Sequence, residues 1–125
     1  MHWWRKLFGR RRAASAYGLH PDCPVLCGGG VEGEGDFLRR LRCPAGKPVR
    51  VRRLRSLPRT RLDYLEQPGV EFCLRPGGRR CTDEMDPRKL PLDAYSVVCE
   101  CGRHDETVFV DMYFCGPERA IRLWS

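Results

Sequence analysis

The sequence predicts an α+β fold: a small, β-dominated single domain of antiparallel hairpins with a short N-terminal helix. Three observations predict it. Residues 95–101 and 107–115 are rich in Val, Tyr and Phe and flank a glycine-containing turn, which reads as a hairpin. Val49-Arg-Val-Arg alternates apolar and charged side chains, as a half-buried strand does. With 125 residues, 42% of them hydrophobic and 31% charged, the chain can bury one modest core and is too apolar to stay disordered.

Taken in order, residues 1–16 form a basic helix or arm, and residues 17–125 one globular α+β domain. A helix there would gather Trp3, Trp4, Leu7 and Phe8 on one side, with Arg5, Arg11 and Arg12 away from that stripe. Its apolar side suits docking on the core; a membrane surface is the competing reading. Residues 17–36, rich in Gly, Pro and acids, read as loop with one short strand at 24–27. Residues 37–42 are too few to type. Cys43-Pro-Ala-Gly-Lys-Pro is a turn into the strand that begins at Val49. Residues 70–74 and 80–82 flank Arg75-Pro-Gly-Gly-Arg79, a turn signal between two β-capable runs. Residues 82–92 read as loop, 95–101 and 107–115 as the central hairpin, and 120–124 as a last short strand.

Charge is distributed in blocks. The formal net charge is +7, yet residues 37–61 carry ten bases and no acid, while residues 17–36 carry four acids and no base. An uncompensated run of this kind creates a local positive potential that attracts polyanions. The candidate contacts are Arg39, Arg40, Arg42, Lys47, Arg50, Arg52, Arg53 and Arg55, with Arg50 and Arg52 on one strand face and Val49 and Val51 packing inward. This geometry suits phosphate contact and supplies no reading of bases. The expected partner is nucleic acid or an acidic protein surface. The bland alternative is a solvated face that pairs with the chain's own acids.

Eight cysteines invite a metal reading. Strand parity points Cys99 and Cys101 toward a core and Cys115 to the other face, so these three make no site among themselves. A turn centred on Gly77 would set Cys73 across from Cys81. Two hairpins meeting would bring Cys73, Cys81, Cys99 and Cys101 into a four-thiolate structural zinc site. Otherwise these cysteines are small core residues.

Other motifs carry less. Gly28-Gly-Gly-Val-Glu-Gly33 matches the glycine pattern of dinucleotide sites, but Glu32, Glu34 and Asp36 would repel phosphate, so it reads as a flexible acidic loop. His20-Pro21-Asp22 matches the tripeptide of J-domain co-chaperones, whose fold needs a long helix directly after it; Cys23-Pro-Val-Leu-Cys27-Gly follows here instead. A Cys101–His104 pair could form a nucleophile dyad across the turn, but it lacks an orienting third group. The chain therefore reads as a non-enzymatic binding module. With no apolar run long enough for a signal sequence or a membrane span, the expected location is the cytoplasm, with reduced thiols.

Overall fold

A computed structural model describes residues 16–73, 86–100, 102 and 105–124. The helix expected at the N-terminus, the turn at 75–79, the strand at 80–82, and Cys81, Cys101 and His104 lie outside the described residues.

The centre is the expected hairpin. Strands β4 (Leu92–Cys99) and β5 (Asp105–Asp111) pair antiparallel, with Asp93 opposite Val110 and Val98 opposite Asp105. The second run is broken where one strand over 107–115 was expected. Asp111 accepts a hydrogen bond from the Tyr113 backbone N–H at 3.0 Å, which ends β5 in a bend. The chain resumes as β6 (Phe114–Cys115) in a separate two-stranded sheet with β3 (Glu71–Phe72).

Strand β2 (Val49–Leu57) lies antiparallel to β4 on one side, and β1 (Val25–Leu26) lies parallel to β5 on the other. The four-stranded sheet runs β1-β5-β4-β2, so it is mixed and not purely antiparallel as the hairpins suggested. Both β1 and β2 fall where the sequence places strands. Residues 120–124 form no strand; they are held by burial of Leu123 and by a 2.9 Å hydrogen bond from the Trp124 N–H to Glu106 Oε2.

The largest correction concerns the acidic loop. Its residues form an α-helix, α1 (Gly30–Arg40), which carries three glycines. Propensity disfavours a helix here by about 1 kcal/mol per glycine. Packing overrides it: Phe37, Leu38 and Leu41 fall on one side and join Val97, Val108, Val110 and Leu123 in the main core. The C-terminal end is secured by Arg42, whose guanidinium donates to the carbonyls of Arg39 and Leu41 at 2.8 and 2.7 Å.

Gly33 shows why a side chain is missing within this helix. A Cβ there would sit 2.9 Å from the carbonyl carbon of Gly28 and overlap its oxygen. Helix propensity alone would make Gly33→Ala stabilising by about 1 kcal/mol. The backbone contact reverses the sign, and a loss of about 2 kcal/mol or more in chemical denaturation is expected.

Candidate functional site

Strand β2 is the end strand of its sheet, and the rows of side chains it projects are set by its register on β4. Arg50 stands opposite Val98 and Arg52 opposite Ser96, on the outer face, while Val49, Val51 and Arg53 oppose Cys99, Val97 and Tyr95 on the face toward the main core. Strict alternation would put Arg55 beside Arg53. Instead the register shifts between Arg53 and Arg55, Leu54 bulges out at 44% exposure, and Arg55 comes to stand opposite Ala94. The bulge thus brings Arg50, Arg52 and Arg55 into one outer row.

The remaining bases of the run divide by partner. Arg53 turns to the other face and donates to Asp93 Oδ1 at 3.0 Å, where Ser56 Oγ also donates at 2.9 Å. Arg59 is a buried structural ion paired with Asp111. Arg61 pairs with Asp63, and Arg39 with Asp36. No described acid pairs with Arg40, Arg42, Lys47, Arg50, Arg52 or Arg55. Arg42 bridges to Pro48 at the start of β2, so it and Lys47 continue the basic strip past the strand end. Strand pairing puts two acids of β5 on the outer face: Asp105, two strands from Arg50 and engaged by the Ser96 hydroxyl at 3.2 Å, and Asp111 at the far end, buried in its ion pair with Arg59. Of the eight arginine and lysine residues predicted to face a polyanion, the outer row thus holds three, the strand start two more, Arg53 is turned away, and Arg39 and Arg40 lie in the last turn of α1.

Behind this strand lies a buried polar cluster that the sequence did not reveal. Glu34, from α1, is 4% exposed, and one of its oxygens, Oε1, has no hydrogen-bond partner. Its carboxyl meets Asp93 and the Tyr95 hydroxyl. Burial raises it to about 7; the Tyr95 hydrogen bond and Arg53 oppose that rise, and Asp93 adds to it. Tyr95 is itself pushed up, by burial and then by Glu34.

A second group sits at the end of β5. Arg59 and Asp111 are a buried ion pair, with side chains 1% and 0% exposed. The Tyr64 hydroxyl donates to Asp111 Oδ2 at 3.2 Å and accepts from Arg59 Nη1 at 2.9 Å. The Arg59 guanidinium also lies 5.2 Å from the centre of the Phe114 ring. Cys27 lies between the two groups, and burial, reinforced by Glu34 and Asp111, pushes its thiol to about 12, so it stays protonated. A protonated thiol and carboxyls engaged by Arg or Tyr offer structural polarity and no activated nucleophile.

Of the predicted zinc ligands, Cys99 is buried in β4, and Cys73 follows β3 and packs against Cys115 of β6. Cys81 and Cys101 lie outside the described residues. No group of three or more His, Cys, Asp or Glu among the described residues could hold a metal ion. No described helix is long and apolar enough to cross a membrane. A cleft of about 560 Å³ elsewhere is lined by Tyr17, His20, Cys23, Arg61, Tyr64 and Arg119, with Arg119 stacked 4.5 Å from the centre of the Tyr17 ring.

No protein-family model, curated protein or solved structure matches this chain.

Proposed function

We propose that the chain is a non-enzymatic binding module that contacts the phosphate backbone of nucleic acid along the outer face of β2. One observation carries this reading: the bulge at Leu54 aligns Arg50, Arg52 and Arg55 on one face of an end strand, and no described acid pairs with any of them. Arg50 and Arg52 stand about 7 Å apart along the strand, a spacing two residues of extended chain impose, and across the bulge Arg55 stands opposite Ala94, two residues along β4 from the partner of Arg52. Guanidinium groups present planar donor forks that match phosphate oxygens. Contacts of this kind fix register on a polyanion and carry no sequence information, so binding is expected to discriminate poorly between sequences.

The test is fluorescence anisotropy of a labelled oligonucleotide titrated with the full chain. Log affinity should fall linearly with log salt, with a slope of about −3 to −5 for three to six phosphates engaged. Absence of salt-dependent binding would refute the reading.

The end position of β2 favours a second reading, in which an acidic extended segment of another protein adds to the sheet edge. It predicts binding to an acidic peptide that survives when the oligonucleotide is in excess.

A further inference from the structure

Cys73 and Cys115 are not adjacent in sequence, yet the second sheet brings them together. In the β3–β6 register Glu71 stands opposite Cys115 and Phe72 opposite Phe114. The next step places Cys73 across from Tyr113, whose carbonyl accepts the Cys73 N–H at 3.0 Å. Cys73 is therefore the diagonal neighbour of Cys115, and the two side chains leave the same face of the ribbon.

Gly28 supplies a second measure of their closeness. A Cβ built on it would lie 2.9 Å from Cys115 Cβ and 3.2 Å from Cys73 Cβ. The two cysteine Cβ atoms are therefore separated by no more than the sum of these distances, and a shift of the two strands by no more than about 2 Å brings them to the roughly 3.5–4.5 Å of a disulfide. The backbone around them is fixed from three sides. Gly29 N–H donates to the Cys73 carbonyl at 2.7 Å, Cys27 bridges Cys115, and Gly28 holds a left-handed φ of 59° that suits glycine. Both cysteines are partly exposed, so a small oxidant can reach them.

We propose that Cys73 and Cys115 are an oxidative modification site, a dithiol that closes to an intramolecular disulfide by exchange with a low-molecular-weight disulfide. The Cys73 thiolate attacks one sulfur of the oxidant, its S–S bond breaks, and one small thiolate leaves, giving a mixed disulfide on Cys73. Cys115 then loses its proton and attacks the Cys73 sulfur, and the second small thiolate leaves. The net change is two protein thiols oxidised to one disulfide and one small disulfide reduced to two thiols. Burial, together with the neighbouring Cys73, pushes the Cys115 thiol up to about 11, which suits the slower, resolving role. The closed bond would tie β3 covalently to β6.

The full chain, purified reduced, is treated with oxidised glutathione and mapped by alkylation and peptide mass spectrometry. The expected product has lost two hydrogens and carries a Cys73–Cys115 cross-linked peptide. In Cys115→Ser the reaction should halt with one glutathione retained on Cys73, and in Cys73→Ser no intramolecular bond to Cys115 should form. Linkage of Cys73 to Cys81 or to another cysteine would overturn the proposal. So would full alkylation of Cys73 and Cys115 under conditions that oxidise dithiothreitol completely. Zinc retained on these thiols by the untreated chain would overturn it as well.

Discussion

Replacing Arg59 by Met should lower the stability of the chain by about 3–5 kcal/mol, the cost of leaving a buried charge without its counter-ion. The methionine fills much of the same space, so the loss comes from Asp111, whose side chain is 0% exposed and would keep, among the described residues, only the Tyr64 hydroxyl and the Tyr113 N–H. Because Asp111 also makes the bend that separates β5 from β6, the variant should loosen the second sheet as well. The measurement is urea denaturation at neutral pH, with Arg55→Met as control. Arg55 lies on the exposed outer face, so its replacement should change stability by no more than about 0.5 kcal/mol. Ten bases that look equivalent in sequence thus separate into one whose loss threatens the fold and several whose loss does not.

The second large effect is a pH dependence from Glu34. An unfolded chain lets this carboxyl titrate at its ordinary value of 4.5, whereas the folded chain holds it near 7. Between those values the folded state keeps a proton that the unfolded state has lost, so stability falls as pH rises and levels off above about pH 7. The span corresponds to about 3 kcal/mol, at 1.36 kcal/mol for each pH unit. The groups facing Glu34 are Asp93 and Tyr95 on β4 and Arg53 on β2, with Asp111, Tyr113 and Cys27 just beyond. Glu34→Gln keeps an acceptor for the Tyr95 hydroxyl and adds a donor toward Asp93. This variant should match the parent near pH 4.5 and exceed it by up to about 3 kcal/mol at pH 8, with a flatter profile between. A parent whose stability rises from pH 5 to pH 8 would contradict the assignment.

The parts of the fold that could be read in the sequence are those made by local period-two patterns. Strand β2 and the β4–β5 hairpin announce themselves by alternation beside a turn, and β1 by a short apolar run within a Gly- and Pro-rich segment. Helix α1 does not, because its glycines hide it: the chain needs Gly33 for a backbone approach to Gly28, and the helix is held by what Phe37, Leu38 and Leu41 touch. Nor does any local signal mark the parallel pairing of β1 with β5 or the sheet formed by β3 and β6, since both join segments far apart in the chain.

The candidate site follows the same division. The arginine run and the inward packing of Val49 and Val51 are legible, whereas composition carries no sign of the bulge that re-aims Arg55. The one hint is the doublet Arg52-Arg53, where alternation fails one residue before Leu54. The buried cluster escaped because its members come from three distant segments. Glu34 looked like a loop acid until α1 turned it inward, Asp111 looked like an outward-facing residue within the strand 107–115, and Asp93 fell before the strand expected at 95. The meeting of Cys73 with Cys115 likewise depends on a strand pairing that neither cysteine's neighbours betray.

The outer row of β2 is where binding is assigned, and a paired comparison tests that assignment most directly. Oligonucleotide affinity is measured against salt for the parent, for the triple variant Arg50→Gln, Arg52→Gln, Arg55→Gln, and for Arg53→Gln. The triple variant should fold as the parent does, bind more weakly at low salt, and lose about 3 units of salt slope, one for each phosphate contact removed. Arg53→Gln, which removes a base engaged by Asp93 on the opposite face, should keep the parental slope. A triple variant that retains the parental slope, or an Arg53→Gln that loses as much as the triple, would contradict the assignment of the outer face.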